Sequence, residues 1–200
     1  QLAAYARIPG TLAAEVAGAK AEAFLIVLDD KDSLVAIKSF GFVKPKEDPD
    51  TLVVSFVVPL APGRYSCRMV VRNRETGKGA RGAAPVAVPR PAAIPVWLDP
   101  PLLLRADRSV RERGSAPDAT LSSLYAYDPA AYAPLDGAAA SDRPGPLYAA
   151  LRCDSGDAIE DLSLAVSLLE PAGGDVTEVP FTIVARSQDG AAKHFLLELA

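Results

Sequence analysis

The sequence predicts an all-β protein built as two tandem β-sandwich domains of immunoglobulin-like or fibronectin III-like class. Three observations carry this. Apolar residues alternate with period two in the clearest segments, the apolar runs are short and recur along the whole chain, and a proline cluster separates them into two sets. The chain has 200 residues, 50% of them hydrophobic, enough to bury a core without disulfides or metals. Proline occurs 18 times, which favours many short elements bounded by fixed-φ turns over long helices.

Taken in order, Tyr5–Ile8 and Thr11–Val16 read as the first strands. Ala23–Leu28 is continuously apolar, as in a strand of a sandwich core, and Asp29-Asp-Lys-Asp32 marks a turn before a strand over Leu34–Val43. Leu52, Val54, Phe56 and Val58 alternate, and Pro59-Leu-Ala-Pro-Gly63 then predicts a hairpin joining 51–58 to 64–73. In that second strand Tyr65, Cys67, Met69 and Val71 share one face, and Arg64, Ser66, Arg68, Val70 and Arg72 share the other. Pro85–Val88 closes a first domain over 1–88.

Residues 89–101 form a Pro-rich linker, because Pro89, Pro91, Pro95, Pro100 and Pro101 stiffen the chain and remove ladder donors. The second domain, 102–200, is expected to hold strands at Leu102–Leu104, Leu121–Tyr127, Leu147–Cys153, Leu162–Leu169, Val179–Ala185 and Lys193–Leu199. The charged segment Asp107–Thr120, with Gly114 and Pro117, reads as a mobile loop. The chain stops one residue after its last strand with no return strand. A truncated second domain, and a fragment of a longer protein, are therefore expected.

Composition narrows function more by exclusion than by assignment. A net charge of −4 argues against nucleic acid as the main partner, which needs a basic surface to displace counterions. No apolar run approaches the roughly 18–20 residues of a membrane span, and Gln1–Gly10 lacks the basic start of a secretory signal. One His and two Cys, isolated from one another, leave structural zinc without its ligand spacing.

Each motif that touches chemistry has a plainer reading. Gly77-Lys-Gly-Ala-Arg-Gly82 matches G-x-G-x-x-G but runs into the Pro-bounded stretch Ala83–Pro89 instead of opening a helix, so a hairpin loop is expected and no cofactor. Asp29, Asp30 and Asp32 resemble the start of a calcium loop that no Gly or far Glu completes. Asp154, Asp157, Glu160 and Asp161 form a second acidic cluster, read as an inter-strand loop with a cation or sugar hydroxyls as the alternative. Cys67 and Cys153 are expected as buried free thiols, and His194 is expected to point outward. No catalytic residue and no metal ligand is assigned. Tyr125, Tyr127, Tyr132 and Trp97 form the one aromatic concentration, either packed internally or stacking on a sugar or protein partner.

The run from Pro59-Leu-Ala-Pro-Gly-Arg-Tyr through Arg72-Asn-Arg-Glu-Thr-Gly to Val86-Ala-Val-Pro89 resembles a known pattern. It is similar to the β-sandwich region that follows the von Willebrand factor A-related domain of certain exported bacterial proteins, notably acidobacterial ones. Leu98–Arg105, Tyr132–Gly137 and Gly145–Arg152 look like later blocks of the same region. The resemblance implies an accessory, non-enzymatic role in an extracellular or periplasmic multidomain protein, partnered by proteins or by other domains of the same polypeptide. The D-x-S-x-S metal site of the A-type domain does not occur in this sequence, so no metal-binding residue carries over.

Overall fold

The computed structural model describes residues 1–16, 20–43, 51–90, 96–116, 118–135, 145–154, 163–169, 174 and 176–200. Its elements run β1 (Leu2–Pro9), α1 (Gly10–Val16), β2 (Ala21–Asp29), β3 (Leu34–Phe42), β4 (Thr51–Val58), β5 (Gly63–Asn73), β6 (Gly79–Val88), β7 (Trp97–Leu98) and β8 (Leu102–Ala106). They continue as β9 (Val110–Arg113), α2 (Leu121–Tyr125), β10 (Tyr132–Pro134), β11 (Leu147–Asp154), β12 (Ser167–Leu169), β13 (Val176–Glu178), β14 (Phe181–Asp189) and β15 (Ala192–Leu199). The all-β, sandwich-like class expected from the periodicity is what the chain adopts.

The described chain separates into two compact units, Gln1–Ala92 with Arg108–Leu124, and Ala93–Asp107 with Tyr125–Ala200. In the first, a sheet of order β1-β4-β9 and a sheet of order β3-β2-β5-β6 enclose one core. Strict alternation supplies it. Ala21, Ala23, Leu25 and Val27 enter from β2, Leu52, Val54, Phe56 and Val58 from β4, and Cys67, Met69 and Val71 from β5.

The expected hairpin of 51–58 with 64–73 does not form. β4 pairs with β1 and β9, whereas β5 pairs with β2 and β6, so Pro59–Gly63 carries the chain from one sheet to the other. Both strands are apolar on the face that meets the core and supply it from opposite sheets; alternation alone gives the same inner faces for strands paired side by side, as β2 and β5 are, so it does not specify the pairing. Tyr65 fixes the crossing by donating its hydroxyl hydrogen to the Ala61 carbonyl at 2.8 Å.

Three other expectations change. Thr11–Val16 belongs to helix α1 and is not a strand: Ala13 and Val16, three apart, are its buried residues, a helical period that two-residue alternation obscured. Asp107–Thr120 is not simply a loop, because Val110–Arg113 forms β9 parallel to β4, with Val110 buried. Leu121–Tyr127 is not a strand either. Thr120 and Ser123 cap α2 reciprocally, the Ser123 amide donating to Thr120 Oγ1 at 3.0 Å and the Thr120 amide to Ser123 Oγ at 3.2 Å. Ala126 then ends the helix in the left-handed region, at φ 54°.

The second unit centres on a sheet of order β10-β8-β11-β15-β14, with β7 pairing the end of β11, and on the ribbon β12-β13. Ala149, Leu151 and Leu197 are buried on one face of that sheet, with Leu164, Val166, Phe181 and Phe195 packed against them. Leu162 lies outside the described residues, and the strand expected over Leu162–Leu169 is limited to Ser167–Leu169. The last strand, β15, pairs with β11 on one side and β14 on the other, so it is an interior strand and not an open edge.

Candidate functional site

The aromatic residues singled out by the sequence all belong to the second unit. Tyr125 and Tyr127 are buried, and the Tyr125 hydroxyl donates to the Pro100 carbonyl at 2.8 Å. Tyr132 is half-buried, edge-on to Tyr148 with ring centroids 4.9 Å apart. Trp97, also half-buried, donates from Nε1 to Asp99 Oδ1 at 3.0 Å, while Asp99 Oδ2 accepts from Arg152 Nη1 at 2.7 Å. One carboxylate thus holds the indole and a guanidinium together.

The acidic and glycine motifs resolve into turns. Asp29 Oδ1 accepts from the amides of Lys31 and Ser33 at 2.9 and 2.8 Å, and these hydrogen bonds hold its carboxyl below the usual carboxylate range. Asn73, the one asparagine in the chain, is buried at the start of the β5-β6 turn, where its side-chain oxygen accepts from the Glu75 and Thr76 amides. Gly77 takes φ +71°, and a Cβ on Gly79 would lie 2.7 Å from the Val71 carbonyl oxygen, so the turn needs the first glycine for its backbone conformation and the second for close backbone packing. Asp157, Glu160 and Asp161 lie outside the described residues. Among the described residues no three His, Cys, Asp or Glu side chains converge as a metal site.

Cys67 and Cys153 are buried free thiols, and burial raises the pKa of each. His194 reverses its expected orientation. It is buried opposite Arg152 in the β11-β15 pair, and desolvation, then the Arg152 charge, lowers its pKa. Alternation with Phe195 and Leu197 predicts an outward His194 only for a strand with one covered face. β15 is interior and covered on both faces, as burial of Leu196 beside Leu197 shows.

The β5 face that carries Arg64, Arg68 and Arg72 belongs to the outer surface of the β3-β2-β5-β6 sheet. Register places Ile37, Ile26, Arg68 and Ala83 in one cross-strand row and Ser39, Phe24, Val70 and Arg81 in the next. Ile37 is 56% exposed and Val35 45%. At one end Arg72 lies over the Phe24 ring, 5.3 Å from its centroid, and is paired with Glu22, which Arg74 also approaches at 3.6 Å. At the other end Arg68 reaches Asp32 at 3.8 Å. The sequence signal was present, in the alternating arginines of β5. Register supplies the other half: Ile26 of β2 lies beside Arg68, with Ile37 of β3 one strand further out.

No protein-family model, curated protein or solved structure matches the chain. No helix among the described residues is long and apolar enough to cross a membrane.

Proposed function

We propose that the chain is a pair of non-catalytic β-sandwich modules serving as an interaction or spacer region of a larger exported bacterial protein. The observation that supports this best is the outer face of the β3-β2-β5-β6 sheet, where exposed Ile37 of β3 and half-buried Ile26 of β2 share a cross-strand row with Arg68 of β5 on a framework of four paired strands. Exposed apolar side chains grouped on a rigid sheet are typical of surfaces that meet another protein. The exported, accessory setting comes from the sequence resemblance alone.

A photo-crosslinking group in place of Ile37 tests the reading in the host cell. A discrete protein adduct is expected there and not with the same group at Val184, which is exposed on β14. Turnover by the purified chain in an ester, glycoside and peptide panel would overturn the non-catalytic assignment. A glycan array tests the carbohydrate alternative, which rests on the partial exposure of Trp97 and Tyr132; binding abolished by Trp97→Ala would favour it.

A further inference from the structure

We infer that the outer face of the β3-β2-β5-β6 sheet docks an acidic, extended protein segment that carries apolar residues between its carboxylates. This rests on the interaction-module reading and adds the chemistry of the partner.

Charge complementarity carries the inference. The whole chain is net negative at −4, yet the outward positions of these four strands carry Arg64, Arg68, Arg72 and Arg81 against Glu22. Glu22 is already engaged by Arg72 and Arg74. The side chain of Arg68 is 54% exposed and its partner Asp32 82% exposed, so that contact at 3.8 Å is a weak, solvent-screened one. Arg64 and Arg81 are exposed. Guanidinium groups on such a face match carboxylates in two-pronged hydrogen bonds.

The apolar half decides between kinds of anion. In both central rows an apolar side chain of β2 stands beside an arginine-bearing strand, separated by about 5 Å, the spacing of neighbouring strands. A partner must therefore present apolar groups and negative charge within one segment's width. Single-stranded nucleic acid would want aromatic stacking platforms, and the one aromatic ring in these rows, Phe24, is covered by Arg72. Among the described residues β3 is an edge strand, and strand addition there is opposed by Lys38, which sits opposite the core residue Leu25 and so places a charge on the inward side of that edge. The face, not the β3 edge, is the docking surface.

The test is selection of a random peptide display library on the intact chain, in parallel with Arg64→Glu/Arg68→Glu/Arg81→Glu and with Ile26→Ser/Ile37→Ser. Circular dichroism and Arg81→Glu alone guard against loss of fold. Selected peptides are expected to be enriched in Asp or Glu interspersed with apolar residues. A synthetic peptide of the leading sequence should lose roughly tenfold or more in affinity with either multiple variant, and should weaken as salt rises. Enrichment without acidic residues, or undiminished binding to the charge-reversed chain, overturns the inference while leaving the interaction reading intact. Binding indifferent to Ile26→Ser/Ile37→Ser overturns it in favour of a general polyanion surface, as does displacement of the peptide by an oligothymidylate. No enrichment at all also overturns it, and the crosslink at Ile37 then decides the interaction reading separately.

Discussion

Ser55 donates its hydroxyl hydrogen to Glu112 Oε1 at 2.6 Å, joining residues 57 positions apart in the sequence. The same carboxylate oxygen accepts from the Leu121 amide at 2.8 Å, and the Leu121 amide also lies 3.2 Å from Ser55 Oγ. Glu112 therefore ties β4, β9 and the start of α2 into one polar knot beside buried Val53.

Glu112→Ala should cost about 2–4 kcal/mol, because it leaves the buried Ser55 hydroxyl without its acceptor and the Leu121 amide with only its longer contact to Ser55 Oγ. Glu112→Gln, which keeps an accepting oxygen, should cost about half as much. Urea denaturation midpoints at constant slope check both. Equal losses for the two variants would mean that packing and not acceptance is what Glu112 supplies.

Gly79→Ala is expected to destabilise by about 1–3 kcal/mol, since the new Cβ would press on the Val71 carbonyl oxygen at 2.7 Å. Gly82→Ala, three residues on and with nothing within 4 Å of the built Cβ, should be near neutral. Thermal unfolding of the pair gives the comparison. A neutral Gly79→Ala would show that the β5-β6 ladder relaxes more easily than its register suggests.

Asp99→Asn should shift the Trp97 emission, because the indole loses a charged acceptor, and should also lower stability by about 1–3 kcal/mol through the lost pair with Arg152. Both side chains of that pair are 21% exposed, so the loss is expected to exceed that of a surface pair while staying well short of a fully buried one. Unchanged emission together with unchanged stability would contradict this arrangement.

His194 links stability to pH in a definite direction. Its folded-state pKa lies below the unfolded value of 6.5, so the unfolded chain binds more protons in the interval between them. The contribution is fully present above pH 6.5 and is lost as pH falls through that value toward the lowered one. The parent chain should therefore lose stability faster than His194→Gln on going from neutral to mildly acid pH, in parallel denaturant titrations. Identical pH profiles would place His194 in solvent.

What the sequence made legible was the periodicity of single strands. Tyr65 to Val71 and Leu52 to Val58 show their inner faces because alternate apolar residues meet one core. Pairing was not legible, because Pro59–Gly63 serves equally well as a hairpin turn or as a crossing between sheets, and the choice depends on where β2 and β1 lie. Short helices escaped for a related reason: α1 and α2 are so brief that two or three buried residues define them, too few for period three to stand out from period two. The outer face of the β3-β2-β5-β6 sheet became visible only through register. Ile37 and Arg68 are separated by two segments of sequence and joined by Ile26.

The parallel pairing of β9 with β4 has a consequence for synthesis. Thr51–Val54 finds its neighbour Val110–Arg113 only after the intervening residues, including the whole Pro-rich stretch, have left the ribosome. Until then one side of β4 offers unpaired amides and carbonyls, and Ser55 has no carboxylate to meet. The N-terminal body is thus completed late, by a segment translated after part of the other body has already appeared, and a gene cut at the prolines would encode a sheet with a strand missing.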